Sequence, residues 1–134
     1  MRNLTLALTI LSAALALPAR AEIVVIVNPA NQASRMFSEQ AAQFFLGKSN
    51  MFTPIDQGKE SPIRRDFYQK VTNKTLPQVE AIWAKLEYSA KGTAPKAYAS
   101  DAEVKKAVAA DPSAIAYIDK ASVDASVKVL LTLP

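Results

Sequence analysis

Ile23-Val24-Val25-Ile26-Val27-Asn28-Pro29 is the stretch that decides the fold. Five β-branched residues in succession, closed by an Asn-Pro turn signal, read as a strand that is apolar on both faces. Such a strand belongs in a partly parallel sheet covered by helices on either side, because a sheet wetted on one face would alternate apolar with polar residues. Pro29 to Ala33 then read as its exit loop.

Downstream, the apolar residues change to helical spacing. Ser38 is expected to cap a helix that turns Phe37, Ala41, Phe44 and Phe45 inward and ends at Gly47. Phe52 to Asp56 reads as a short strand, and Pro54, lacking an amide donor, places it at an edge or in an irregular segment. Gly58 marks a turn. Ser61-Pro62 has the signature of a helix start, serine as cap and proline in the first position, with Ile63, Phe67 and Val71 as the buried stripe. Thr75 and Gln78 have capping-box spacing for a helix whose apolar face is Leu76, Val79, Ile82, Trp83 and Leu86. Tyr88 to Ala99 reads as a loop. Ser100 and Glu103 repeat the box for a helix with Val104, Ala107 and Val108 inward, stopped by Asp111-Pro112. Ala114 to Ile118 and the alternating Val127, Val129 and Leu131 supply two further strands. Alternating strands and helices predict the α/β class, with one mixed sheet flanked by helices in a single compact lobe.

Upstream of the first strand, Arg2 precedes an apolar run from Leu4 to Leu17, then Pro18 and the small-x-small tripeptide Ala19-Arg20-Ala21. This is the layout of a cleaved secretory signal, residues 1–21, with a hydrophobic stretch too short to span a membrane stably. The expected working protein is therefore one domain, 22–134, soluble and periplasmic. Removing 21 of the 134 residues leaves 113, and losing Arg2 and Arg20 lowers the net charge from +4 to +2. A chain of that size holds one core.

Absent residue types narrow the function classes. Cysteine is absent, which excludes disulfides, thiolate catalysis, cysteine-ligated metals and a lipid-modified N-terminus. Histidine is absent too, which removes the usual serine–histidine triads and histidine zinc sites. The three glycines stand far apart, so no glycine-rich phosphate cradle exists and no cofactor is expected. No basic block is interleaved with aromatics, which argues against nucleic acid. A non-catalytic protein is the expected class.

Local rules conflict at one place. Arg64 and Arg65 lie in the first turn of the helix that Ser61 begins, where the positive end of the helix dipole favours Asp or Glu. Two explanations are open: both arginines pair with Glu60 and Asp66 at the surface, or the first-turn amides, the Ser61 hydroxyl and an arginine fork together surround an oxyanion.

Phe44-Phe45-Leu46-Gly47-Lys48, then Ser61-Pro62-Ile63-Arg64-Arg65-Asp66-Phe67, then Asp101-Ala102-Glu103-Val104 and Ala114-Ile115-Ala116-Tyr117 follow one another in an order that resembles the phosphate-binding substrate-binding proteins of ABC phosphate transporters. The resemblance implies a type II periplasmic-binding-protein lobe and favours the oxyanion. It implies that Ser61, the amides of Ile63 and Arg64, and the Arg64 charge face phosphate or a similar anion, and that Asn28 and Asn31 in the loop after the first strand touch it as well. Pro62-Ile63 stands where that family has Gly-Thr, Asp56-Gln57 lies near a family arginine, and Ala116 replaces a strand glycine. Members of that family close two lobes on the ligand, whereas this chain has the material of one. A permease, another envelope protein or a second copy forming a homodimer would supply the missing wall. The alternative function is a ligand-free interaction module of an envelope assembly, marked by an exposed apolar patch around Phe52, Tyr88 and Tyr98.

Overall fold

The computed structural model describes residues 22–134; the expected signal segment, 1–21, lies outside the described residues. The chain runs β1 (Ile23–Val27), α1 (Ser38–Phe45), β2 (Thr53–Gln57), α2 (Arg64–Thr72), α3 (Leu76–Tyr88), β3 (Lys96–Tyr98), α4 (Asp101–Ala110), β4 (Ala114–Asp119), a 3-10 turn at Lys120–Ser122, and β5 (Lys128–Leu133). One five-stranded sheet has the order β3-β2-β4-β1-β5. The α/β lobe with a mixed sheet and flanking helices expected from the sequence is the architecture observed.

All five β1 residues are buried, as their composition requires. Fully burying each contributes about 1.5–3 kcal/mol, more than the roughly 1 kcal/mol spread of strand propensity, so burial holds this strand in place. Ile23, Val25 and Val27 join Ile115, Tyr117, Phe45, Phe67, Tyr68 and Trp83 on the face covered by α1, α2 and α3. Val24 and Ile26 join Ala114, Ala116, Ile118, Val104 and Val108 on the face covered by α4. The first face is aromatic: the Phe67 and Tyr117 rings stack with centroids 3.8 Å apart, and Phe45 meets Phe67 edge-on at 4.7 Å.

The sheet is partly parallel, as expected, but β1 takes no part in its parallel pairs. β1 runs antiparallel to both its neighbours, β4 and β5, and the parallel pairs are β2 with β4 and β2 with β3. β2 is an interior strand, and the segment expected as loop supplies β3 at its edge. Pro54 is tolerated because pairing with β3 begins one residue later, at Ile55 opposite Lys96. The preceding amide, Thr53, points to the β4 side and donates to Ser113. A nitrogen at Pro54 would point the other way, where no strand lies opposite.

Three local readings shift as well. Ser38 is the first helical residue rather than the cap; Phe37 caps α1, its amide donating to the Gln40 side chain, and the residue is 61% exposed rather than in the core. Gly47, by contrast, closes the helix as expected, at φ 71°, where an added Cβ would come within 2.5 Å of Leu86 Cδ1. In β5 the pairing jumps from Val25–Leu131 to Ile26–Val129, leaving Leu130 as an extra residue. This bulge sends Leu131 to the aromatic face and Val129 to the α4 face, breaking the expected alternation.

Candidate anion-facing site at the head of helix α2

β2 ends with two polar residues, Asp56 and Gln57, that are both buried. A strand cannot bury them without partners, and the partners come from α2, β4 and α4. The Asp56 carboxylate accepts from the Tyr117 hydroxyl at 2.5 Å, the Tyr68 hydroxyl at 2.7 Å and the Gln57 amide at 2.8 Å. Burial, reinforced by the charge of Asp56, pushes both phenols far above the ordinary tyrosine range, so they remain protonated donors. The Gln57 side chain donates to Asp101 at 2.8 Å and to the Tyr117 carbonyl at 2.9 Å, and accepts from the Ser61 hydroxyl at 2.5 Å. Asp101 in turn accepts from Ser122 and from the Asp119 amide.

The conflict noted at Arg64 is resolved inside the fold. Helix α2 starts at Arg64, three residues later than Ser61, with Ile63 as its cap. Ser61 and Pro62 form the turn before it, the Ser61 oxygen accepting from the Ile63 amide at 3.3 Å. Arg64 folds inward rather than toward Glu60 or Asp66: its residue exposure is 9%, Nε lies 3.6 Å from Asp56, and a terminal nitrogen lies 3.8 Å from Glu80 on α3. Asp56 thereby supplies the negative charge that a helix start favours. Both approaches are longer than a hydrogen bond. The buried Arg64 Nε has no hydrogen-bond partner among the described residues. Arg65 is exposed and lines a separate cavity of about 260 Å³ with Asp66, Gln69 and Lys74.

Ser61, Ile63 and Arg64 are thus brought together, and Asn28 and Asn31 are not. Val27 pairs with Ile115 in antiparallel sense, which puts Asn28 level with the start of β4, whereas β2 runs parallel to β4 from Thr53 opposite Ala114 and so carries Gln57 four residues further along. At roughly 3.3 Å per residue the two ends of the sheet are about 13 Å apart. Asn28 donates to the carbonyls of Val108 and Ala109 at the end of α4 and accepts from Ala30, and Asn31 donates to Pro112 and accepts from Ala33. Both close loops. The sequence offers none of Asp56, Tyr68, Glu80, Asp101 and Tyr117 as a site residue, and Asp56 enters it only as lying near a family arginine. The available signal was a carboxylate at the end of an otherwise apolar strand, together with two tyrosines at core positions whose hydroxyls would need partners.

Arg64 and Asp56 also line a cavity of about 220 Å³, with Glu80, Trp83 and Glu87 from one face of α3 and Pro95 from the segment before β3. The apolar patch expected around Phe52, Tyr88 and Tyr98 does not form. Tyr88 is 95% exposed, but Phe52 packs edge-on against Phe44 at 4.8 Å and Tyr98 packs against the α4-side core. Among the described residues no group of His, Cys, Asp or Glu is arranged to hold a metal, and no helix is long and apolar enough to cross a membrane.

The lobe superposes on solved phosphate receptors. An ABC-type phosphate transport receptor from Vibrio cholerae aligns with TM-score 0.64 at 17% identity, covering 82% of this chain and 46% of the receptor. A putative phosphate ABC transporter substrate-binding protein from Clostridium perfringens, solved with bound phosphate, gives 0.62 at 18% over 82% and 45%, and PstS from Borrelia burgdorferi gives 0.60 at 16% over 82% and 47%. At such identities the likeness establishes the fold, a lobe of the type II binding-protein kind. The chain spans less than half the length of the structures it matches. No family model and no curated protein matches the sequence.

Proposed function

We propose that this chain acts in the periplasm, after removal of residues 1–21, as a non-catalytic binding lobe of the transport-receptor kind, and that its ligand carries an oxyanion directed at the head of α2. The observation that carries this reading is Arg64, a guanidinium buried at a helix start with an unpartnered Nε–H, in a fold that a phosphate-bound protein shares. An unsatisfied buried donor on a charged group costs about 1–3 kcal/mol or more, which an arriving phosphate-like anion would recover. Ser61 and the Ile63 and Arg64 amides complete the group.

Asp56 sets the affinity. Its carboxylate stands 3.6 Å from Arg64, and the Ser61 hydroxyl is already donated to Gln57, so an isolated lobe binds phosphate weakly. Isothermal titration of the periplasmic protein with phosphate and sulfate tests this. We expect heat at millimolar anion that disappears in Arg64→Ala. Asp56→Asn should tighten binding by tenfold or more, since it removes the carboxylate that stands 3.6 Å from the Arg64 cation. Absence of heat with either anion in both the native protein and Asp56→Asn would falsify the reading.

The internal Ser61–Gln57–Asp101 chain of hydrogen bonds favours a second reading, a ligand-free module that docks a permease, another envelope protein or a second copy. Sedimentation and cross-linking in intact envelopes distinguish it: a strictly monomeric, uncrosslinked protein is incompatible with that role.

A further inference from the structure

The sheet has a gap at its β3 edge. β3 is three residues long and pairs with β2 only from Ile55 onward, so Thr53 and Pro54 have no strand beside them on that side. A cavity opens on each face of the sheet at this gap. On the aromatic face, about 210 Å³ is walled by Phe44, Phe52 and Trp83. On the α4 face, about 450 Å³ lies among Ile55, Pro95, Tyr98 and Ala107. Thr53, Pro54 and Thr93 line both, so the two cavities meet around the edge of the sheet. The aromatic wall is preformed: the Trp83 indole N–H donates to the Phe45 carbonyl at 2.9 Å, and Phe52 meets Phe44 edge-on.

Shape and chemistry limit what fits this path. A helix, roughly 10–12 Å across, is too thick for the smaller cavity. Strand addition is barred because the amide position facing the gap is Pro54, which has no hydrogen to donate. An extended segment held by its side chains fits, with one large apolar anchor in the aromatic cavity. Charge sets its sign. Lys91 lines the aromatic cavity, where no carboxylate stands. Lys96 lines the other, resting over the Tyr98 ring, and faces only Asp111, one oxygen of which already accepts from the Ser113 amide. Among the described residues neither lysine belongs to an ion pair. We propose that this path is a docking groove for an extended acidic segment of a partner protein, its apolar anchor between Phe52 and Trp83 and its carboxylates on Lys91 and Lys96. The groove begins at the opposite end of β2 from Gln57, so the inference stands apart from the anion reading and rests on the docking reading only for the existence of a protein partner.

Trp83 is the chain's one tryptophan, so its emission reports occupancy directly. The probes are three capped pentapeptides, Asp-Glu-Phe-Glu-Asp, Asp-Glu-Ala-Glu-Asp and Lys-Lys-Phe-Lys-Lys, and vesicles of anionic phospholipid, each titrated into the purified protein. We expect the acidic phenylalanine peptide to shift the emission, and the other two peptides to bind at least about tenfold more weakly, as loss of a hot-spot contact does. Thr93→Phe, at an exposed position common to both cavities, should weaken binding by a similar factor without altering the melting temperature. A silent Trp83 at millimolar peptide, equal responses to the three peptides, or undiminished binding to Thr93→Phe overturns the proposal. A response to vesicles without one to peptide overturns it in favour of a lipid surface. Envelope cross-links that persist unchanged in Thr93→Phe keep the docking reading and sink this groove as its surface.

Discussion

The two ends of the sheet use polar side chains differently. Where β1 leaves the sheet, the Asn28 and Asn31 side chains bind only backbone groups of neighbouring turns and of α4, and each of these bonds closes a loop. Where β2 leaves it, Asp56 and Gln57 bind side chains from three other elements, and the arrangement still leaves the buried Arg64 Nε without a partner. An asparagine can satisfy itself against nearby carbonyls at little cost, whereas a guanidinium with five donors in a fixed plane needs acceptors placed for it. Among the described residues, incomplete satisfaction at one end only is what makes that end the candidate site.

The comparison breaks most directly on the two buried hubs. Asp56→Ala strands two phenols and a guanidinium and should cost about 3–5 kcal/mol, whereas Asn28→Ala should cost about 1–3 kcal/mol; urea denaturation of both variants measures the gap, and equal costs would erase the distinction. Alkaline titration sharpens it next. The folded protein holds the Tyr68 and Tyr117 protons well beyond the ordinary pKa, so their stabilisation is complete below about pH 10 and declines above it as the unfolded chain releases them, by up to about 1.4 kcal/mol per pH unit for each tyrosine. Tyr68→Phe should remove one of those two contributions to the slope, and an unchanged slope would show that Tyr68 is not held protonated. The smallest effect belongs to the surface. Lys105, its hydroxyl neighbour Ser126 and the Ser126 amide draw the Asp124 pKa down, but that carboxylate is solvent-exposed. Asp124→Asn should leave the melting temperature nearly unchanged at neutral pH. A large drop there would mean that surface ion pairs, not the buried network, carry the electrostatics.

Much of the fold was legible in local patterns. The five-residue apolar run of β1, the capping residues at Thr75 and Ser100, the positive-φ glycine at 47 and the stop at Asp111-Pro112 all act within a few residues of themselves, so their effects can be read without a neighbour. β3 was hidden because three residues carry too little periodicity, and the bulge at Leu130 because it exists only relative to β1. Of the candidate site, Ser61, Ile63 and Arg64 share one turn and were legible from the helix-start signature and the misplaced charge. Asp56 and Glu80 were not, since only packing brings β2 and α3 to the same arginine.

The amino-acid sequence by itself determined most of the strands and helices, β3 excepted, because burial pattern, caps and turn residues are local properties. It also raised the question at Arg64, by setting a positive side chain against a positive helix end. Tertiary structure alone decided the answer. The antiparallel course of β1 carried Asn28 and Asn31 to the far end of the sheet, and the parallel course of β2 delivered a carboxylate to the helix start. Strand direction depends on contacts between residues far apart in the chain, which no short stretch of sequence encodes.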